Sequence, residues 1–141
     1  RCVPPISRPS SFISKYMYKR KEVTGRFVVQ EHHARNLHYD FRLEIGGVLK
    51  SWAVPKNLPE KKGIKRLAVA VEDHPLDYID FAGVIPAGQY GAGEVKIFDR
   101  GGFLLESLSA KKIEFELYGK KFAGKYLMVN FKDNQWLVSR R

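Results

Sequence analysis

The stretch HYDFRLEIGGVLKSWAV, residues 38–54, alternates between polar and apolar side chains up to a Gly-Gly pair and resumes as a second apolar run. Strict alternation is typical of a half-buried strand, and Gly46-Gly47 between two such runs predicts a tight β-hairpin. Counting outward from this turn gives the predicted cross-strand pairs, namely Ile45 with Val48, Arg42 with Ser51, Phe41 with Trp52, and Asp40 with Ala53.

The chain from residue 26 onward continues as short apolar runs separated by Gly, Pro, Asp and Ser. Four of the residues in the range 83–93 are glycines, which predicts an irregular loop. The predicted fold is mainly β, a compact antiparallel β-barrel with one or two short flanking helices, and a sandwich is the alternative. Further strands are predicted at 27–32, 66–73, 94–101, 102–109, 112–119, 125–132 and 134–140.

Composition narrows the function classes. The 141 residues carry a formal charge of +10 with a pI near 9.8, which favours a polyanionic partner such as nucleic acid. Cys2 is the only cysteine, so an internal disulfide is excluded and secretion has no support. No apolar run is long enough to span a membrane, and we expect a cytoplasmic monomer.

The chain divides by charge and by Pro content. Residues 1–21 hold six basic and no acidic residues, together with Pro4, Pro5 and Pro9. We interpret residues 1–25 as a basic N-terminal arm and residues 26–141 as a single β-barrel domain.

Three polar side chains share one face of the first predicted hairpin strand. Side chains at positions i and i+2 of a strand project to the same side, about 6.6–7 Å apart. His38, Asp40 and Arg42 therefore project together, beside the small residues Ser51 and Ala53 of the partner strand. We expect this face to leave room for a ligand inside the barrel.

Imidazole and carboxylate groups are a standard ligand set for divalent transition metals. His38 and Asp40 can converge on one ion, and His32 ends the preceding strand on the face of Val28 and Gln30. A single histidine is more often a surface or core residue, but this cluster predicts a metal site with open coordination positions. His33 breaks the face pattern and is interpreted as a bystander.

Arg42 and the strand RLAVAVEDH add groups that suit an oxyanion. A guanidinium offers a bidentate fork for phosphate, although a salt bridge to Glu44 or Asp40 is the alternative. Alternation along residues 66–74 places Glu72 and His74 on the same face as the small residues Ala68 and Ala70. Both polar groups lie near the metal cluster if this strand and the hairpin share one wall of the barrel. Tyr78 follows as a packed aromatic or a phosphate contact, and Lys56 and Arg66 frame a loop that could add cations.

Two long blocks, QEHHARNLHYDFRLEIGGVLKSWAVPK and RLAVAVEDHPLDYIDFAGVIPAGQYGAGEV, resemble the 3′-phosphoesterase domain of bacterial DNA ligase D and its stand-alone archaeal relatives. The resemblance implies a compact β-barrel that holds Mn²⁺, with Co²⁺ or Zn²⁺ as possible substitutes. It also implies a phosphodiesterase step that removes a 3′-terminal ribonucleoside and a phosphomonoesterase step that removes the remaining 3′-phosphate, leaving a 3′-OH.

The resemblance also implies roles for single residues. The metal ligands are His32, His38 and Asp40; Arg42 and His74 contact phosphate, and Tyr78 supports them. Further residues at matching positions are Lys56 and Arg66, which matter more for the monoesterase step, and the polar supports Gln30 and Glu72.

The implied partners are DNA or DNA–RNA 3′ ends at primer–template junctions, with a separate ligase or polymerase as a further partner. Two alternatives remain open on the residues alone. One is an Fe²⁺ oxygenase with a facial triad, and the other is a non-catalytic nucleic-acid-binding barrel with a structural metal.

Overall fold

The computed structural model describes residues 23–89 and 91–141, so most of the predicted basic arm lies outside the described residues. One short 3₁₀ helix covers Leu76–Asp80. The strands are β1 (Gly25–His33), β2 (Leu37–Ile45), β3 (Val48–Val54), β4 (Lys65–His74), β5 (Gly83–Ile85), β6 (Gly93–Leu108), β7 (Lys112–Gly119), β8 (Ala123–Lys132) and β9 (Gln135–Arg140).

The strands form one sheet in the order β1-β2-β3-β4-β9-β8-β7-β6-β5. An additional antiparallel pairing of β1 with β6 closes eight strands into a barrel, and β5 adds to the edge of β6. All named strand pairs are antiparallel. The predicted mainly β fold, an antiparallel barrel with a short flanking helix, is confirmed.

The β2–β3 hairpin follows its predicted register. Ile45 pairs with Val48, and the four predicted pairs all occur. Gly46 and Gly47 have φ values of 65° and 86°, a conformation that glycine adopts without a steric penalty. The turn residues and the alternation on either side therefore specify the same pairing.

The barrel interior is filled with hydrocarbon. Phe41 and Leu43 of β2 and Trp52 of β3 point inward, and each is at most 4% exposed. They pack into one cluster with apolar side chains of the other barrel strands, including Phe27, Phe103, Phe115, Tyr126, Met128 and Val138. This burial is the main stabilising contribution to the fold, and it leaves the outer face of the wall for polar groups.

The strand limits near β6 differ from the prediction. Residues 94–109 were expected to be two strands separated at Gly101-Gly102, but β6 runs unbroken through both glycines. A Cβ at Gly101 would overlap the backbone of Tyr118 on β7, so glycine serves a close approach of strands here and not a turn. Within the predicted loop 83–93, residues 83–85 form the short strand β5.

Among the described residues, no helix is long and apolar enough to cross a membrane.

Candidate active site

The candidate groups lie on the outer face of the wall formed by β1, β2 and β3. Cross-strand pairs share a face, and the pairs here are His32 with His38, Gln30 with Asp40, and Val28 with Arg42. The intervening residues of β2 belong to the interior cluster. The expectation that the groups meet inside the barrel is therefore wrong, because the interior is already filled by aromatic and aliphatic side chains.

A second, smaller apolar cluster covers this outer face. Val28 of β1 and Leu49 of β3 pack against Ile79 of the 3₁₀ helix, and all three are buried. Leu76, Tyr78 and Ile97 pack around them. This cluster fixes the helix over the wall and partly encloses the polar groups beside it.

A β-bulge changes the face of His74. Ser51 pairs with Val71, but Leu49, two residues earlier in β3, pairs with His74, three residues later in β4. The extra residue moves His74 to the outer face, whereas strict alternation grouped it with the alanines of β4. Ala68 instead lies in the interior cluster, fully buried. The predicted face of His74 is therefore wrong, and the ring lies beside Arg42, with Nδ1 3.1 Å from Nη1.

Three ligand-type side chains meet at the end of β1 and the start of β2. One ligand atom from each of His32, His38 and Asp40 lies within 4.8 Å of the others. The Nδ1 atom of His32 is 3.2 Å from Asp40 Oδ2, and the Nε2 atom of His38 is 3.3 Å from Asp40 Oδ1. Ligand atoms about 2.0–2.2 Å from a shared ion have separations of this order.

Backbone carbonyls hold the other nitrogen of each ring. His32 Nε2 lies 2.7 Å from the carbonyl oxygen of Gly91, and His38 Nδ1 lies 3.2 Å from that of Asn36. A carbonyl only accepts, so these nitrogens carry protons and donate. The remaining nitrogen of each ring faces the Asp40 carboxylate, where either a second proton or a divalent cation satisfies both partners. Metal-binding histidines are oriented by backbone carbonyls in this way, so the donor set fits a metal ion.

Electrostatics favours an ionised Asp40. Burial acts to raise the pKa of the Asp40 carboxyl, but the hydrogen bond with His38 and the positive charge of Arg42 outweigh burial and lower the pKa below 3.8. The hydrogen bond to Asp40 in turn raises the pKa of His38 above 6.5, although burial opposes it. The anionic carboxylate at the centre of the cluster therefore attracts either a protonated histidine or a divalent metal ion.

Arg42 lies beside the cluster and is held at three atoms. Its Nε donates to Gln30 Oε1 at 2.7 Å, and its Nη1 donates to Ser51 Oγ at 2.7 Å. The guanidinium carbon lies 4.9 Å from the centre of the Tyr78 ring. Burial lowers the pKa of Arg42 from 12.5, yet a guanidinium stays charged in proteins. Its Nη2 is 3.6 Å from Asp40, so this end of the fork points towards the metal cluster.

Gln30 connects Arg42 to the 3₁₀ helix. Its Nε2 donates to the carbonyl oxygens of Tyr78 at 3.1 Å and Phe81 at 3.2 Å, while its Oε1 accepts from Arg42. All of the amide's donors are therefore used, and the side chain is fully buried. The geometry makes Gln30 a positioning residue for Arg42, consistent with its predicted supporting place.

His74 and Tyr78 complete one side of the site. Arg42 Nη1 and the carbonyl oxygen of Glu72 each lie 3.1 Å from His74 Nδ1, which accepts from the guanidinium in one tautomer and donates to the carbonyl in the other. Burial, followed by the charge of Arg42, lowers the pKa of His74 below 6.5. In the tautomer that accepts from Arg42, the neutral ring carries its proton on Nε2, where it can donate to an oxyanion. The rings of His74 and Tyr78 are 4.9 Å apart.

Three predicted residues are not brought into contact with the cluster. Arg66 donates to the backbone carbonyl of Lys56, and the Lys56 side chain is exposed. Glu72 is exposed and approaches His74 only through its backbone oxygen, 3.1 Å from Nδ1. Within the described ranges, no hydrogen bond or ion pair joins these side chains to His32, His38, Asp40 or Arg42, so their roles stay predictions.

Sequence reasoning missed two contributors. Ser51 was read as a small residue that leaves space, but it is 2% exposed and accepts a hydrogen bond from Arg42. The predicted register already placed it opposite Arg42, so this partner could have been found. Gly91, in the loop interpreted as structural, contacts His32 across 59 positions, and no local pattern announces such a contact.

Comparisons with known proteins agree on one family. The model of the DNA Ligase D 3′-phosphoesterase domain matches residues 30–130. The "Multifunctional non-homologous end joining DNA repair protein LigD" of Mycobacterium tuberculosis is 47% identical over 127 residues. The "Multifunctional non-homologous end joining protein LigD" is 48% identical over 130 residues in Pseudomonas aeruginosa and over 126 in Mycolicibacterium smegmatis.

The match covers most of this chain but only a small part of each relative. The matched region is 85%, 84% and 82% of this chain for the three proteins in that order. It is 17%, 16% and 16% of the relatives. The chain therefore corresponds to about one sixth of each multifunctional protein.

Proposed function

The chain belongs to the DNA ligase D 3′-phosphoesterase domain family and is therefore a phosphoesterase, and from this premise we propose that it is a Mn²⁺-dependent enzyme that heals DNA 3′ ends. A phosphodiesterase step removes a 3′-terminal ribonucleoside, and a phosphomonoesterase step removes the 3′-phosphate left behind. The product is a 3′-OH. Family membership weighs against the oxygenase and the non-catalytic binder.

One observation supports the proposal above the others. His32 and His38 each give one ring nitrogen to a backbone carbonyl and turn the other to Asp40, beside the Arg42 fork. A purely structural polar cluster has no need of an arginine whose Nη2 faces the ligand atoms. A phosphate ester is stabilised by a cation at one oxygen and by a charged donor at another.

The proposed chemistry divides between the metal ligands and Arg42. An ion held by His32, His38 and Asp40 would act as a Lewis acid on a phosphoryl oxygen. Arg42 donates to a second oxygen through Nη2 and neutralises charge that develops as the ester bond breaks. Gln30 and Ser51 hold the guanidinium in place before the substrate binds, so little reorganisation is required.

His74 is proposed as the donor on the other side of Arg42. In the proposed tautomer its neutral ring accepts from Arg42 at Nδ1 instead of donating to the carbonyl of Glu72, which leaves the Nε2 proton for a phosphate or leaving-group oxygen. Tyr78 keeps the His74 ring and the guanidinium in contact with its own ring. Lys56 and Arg66 are proposed to act in the monoesterase step, where the doubly charged phosphate requires more positive charge.

The proposed substrates are DNA or DNA–RNA 3′ ends at primer–template junctions. The relatives are named for non-homologous end joining, and the net charge of +10 suits a nucleic acid. We propose that this activity serves the repair of broken DNA ends in the cytoplasm, with a DNA ligase as the consumer of the 3′-OH. The domain that carries it is proposed to span residues 26–141 and to act as a monomer.

The decisive experiment compares two neighbouring histidines. His38→Ala removes a ligand, whereas His33→Ala removes an exposed ring that pairs with Glu31 outside the cluster. We expect His38→Ala to lower Mn²⁺-dependent trimming of a 3′ ribonucleotide by about 100-fold or more, because a site with two ligands holds the ion weakly. A gel of 5′-labelled primer–template substrates ending in a ribonucleotide or a phosphate measures both steps.

The controls separate a specific loss of the metal site from a general effect of replacing a histidine in this region. His33→Ala is expected to trim at the parental rate, and Co²⁺ and Zn²⁺ are tested beside Mn²⁺. Undiminished trimming by His38→Ala would reject the metal site, and trimming by the parent in chelator without added metal would reject metal dependence.

A further inference from the structure

The positive charges of this protein are unequally matched by acids. At the hairpin end of the barrel Lys50 pairs with Asp73, and Arg26 pairs with Glu44. Lys111 and Lys132 at that end have no acidic partner within the described residues, and neither do five lysines in the β3–β4 connection, at the start of β4 and in the β7–β8 turn. These five lysines are Lys61, Lys62, Lys65, Lys120 and Lys121, and all are exposed.

Strand pairing places these lysines at the barrel end that carries the active site. His38 lies next to the first residue of β2, and Tyr39 pairs with Val54, the last residue of β3. Antiparallel order therefore puts the β3–β4 connection and the β7–β8 turn at this same end. Lys62 forms an isolated β-bridge with Arg140 of the neighbouring β9, so the lysines of the β3–β4 connection lie at the rim of the barrel.

An aromatic contact chain joins the β7–β8 turn to the interior side of β2, the strand that carries two of the candidate metal ligands. Lys121 Nζ lies 4.2 Å above the Phe98 ring, and Phe98 packs edge-on against Tyr39 at 5.5 Å. Tyr39 stands between His38 and Asp40 in β2 but packs against the interior cluster, on the opposite face of the strand from these two ligands. The backbone of the turn is itself fixed, because the buried Asp99 carboxylate accepts the amide protons of Lys120, Lys121 and Phe122 at 2.8–3.0 Å.

The distance between the strand that carries the metal ligands and the lysines before β4 exceeds the length of one nucleotide. Neighbouring strands are about 4.8 Å apart, so β4 is on the order of 10 Å from β2 along the wall. Such a separation is too large for contact with the terminal phosphate and corresponds to phosphates one or more nucleotides from the reacting end. Lys61 and Lys62, which lie between β3 and β4, are therefore placed to act on the body of the substrate and not on its terminus.

From this geometry we propose that the active-site end of the barrel is a docking surface for duplex DNA, with Lys61, Lys62 and Lys120 contacting backbone phosphates away from the 3′ end. The inference rests on the proposed function for its partner. Double-stranded DNA carries one charge per about 1.7 Å of axis, so it matches exposed cations spread over a rim. An acidic protein has sparser charge and usually buries an apolar centre, so it fits this lysine rim less well.

The test measures binding without turnover. Fluorescence anisotropy follows a labelled primer–template duplex that already ends in a 3′-OH, at salt concentrations from about 50 to 200 mM. The full chain is compared with Lys61→Gln/Lys62→Gln and with Lys120→Gln. The matched control is Lys111→Gln/Lys132→Gln, two exposed lysines at the opposite end, near the β6–β7 turn and at the end of β8.

We expect Lys61→Gln/Lys62→Gln to weaken duplex binding roughly tenfold and to reduce the slope of log Kd against log salt by about two, because each lost phosphate contact removes about one unit. Lys120→Gln is expected to reduce the slope by about one. The Lys111/Lys132 control should match the parent. Equal losses in the control, or parental binding in both rim variants, overturn the proposal.

The readout is independent of catalysis. A protein that binds the 3′-OH duplex as expected but trims no 3′ end retains this docking surface and loses the proposed function. A protein that trims normally while its rim variants bind like the parent loses the docking surface alone.

Discussion

Side chains of the active site are positioned by contacts on both sides of the strand they belong to. The spacing of His38, Asp40 and Arg42 follows from the two-residue period of β2, and the sequence alone could predict that they share a face. Whether that face points into the barrel or out of it depends on which side holds Phe41 and Leu43 together with the aromatic side chains of distant strands. Only the closed sheet decides this.

His74 gives a pH dependence at the residue scale. Burial and Arg42 lower its pKa from 6.5 in the folded protein. Such a histidine contributes stability that is complete above 6.5 and is lost as the pH falls through 6.5 towards the lowered value, because protonation then favours the unfolded chain. We expect an NMR titration of His74, assigned with His74→Gln, to have its midpoint below 6.5.

The outcome of that titration bears on the proposed donor role. A midpoint at or above 6.5 would mean that burial and the charge of Arg42 do not disfavour protonation of His74, which contradicts a neutral ring held against the guanidinium at Nδ1. The hydrogen bond between the two side chains would have to be abandoned.

Whole elements were predictable where local chemistry and register agree. The β2–β3 hairpin was placed to the residue because Gly46-Gly47 and the alternation around it specify one pairing. The bulge in β4 could not be predicted, because nothing in RLAVAVEDH indicates an extra residue opposite the segment from Leu49 to Ser51. The glycines of β6 were assigned to a turn because glycine disrupts strands by local preference, whereas here it accommodates a neighbouring backbone.

Gly101 supports a prediction about β6. A Cβ at position 101 would overlap the carbonyl group of Tyr118 on β7, which is backbone and cannot move without loss of strand pairing. We expect Gly101→Ala to lower the free energy of unfolding by about 2 kcal/mol or more. Urea denaturation of the purified protein measures this.

Gly102 is the matched control beside it. A Cβ at Gly102 would lie 3.2 Å from a methyl group of Val23, which is part of a side chain and can shift. Gly102→Ala should therefore change stability by less than about 1 kcal/mol. If the two substitutions prove equally mild, the close approach of β6 and β7 has no energetic importance.

At the scale of the whole molecule, the barrel closes by a pairing that sequence patterns do not reveal. β1 pairs with β6, whose residues lie more than sixty positions later, and this contact turns an open meander into a ring. Composition and strand count indicated a barrel or a sandwich, and the choice between them depends on that one long-range pairing. The small outer cluster around Ile79 is equally invisible locally.

The predicted division of the chain can be tested directly. The barrel of residues 23–141 contains its own interior cluster, so we expect a chain without residues 1–22 to melt within a few degrees of the full chain. Removal of six basic residues should weaken DNA binding and lower its salt dependence. Calorimetry and anisotropy provide the two readouts, and loss of a cooperative transition on truncation would contradict a domain of residues 26–141.

The separation of a hydrocarbon interior from a reactive exterior has a practical result. Exchanging a ligand such as Asp40 for its amide removes no atom from the packed centre, so catalytically dead variants should purify and crystallise as readily as the parent. Such variants can be soaked with an uncut DNA terminus and trap it in place, a route closed to enzymes whose reacting groups also fill their cores.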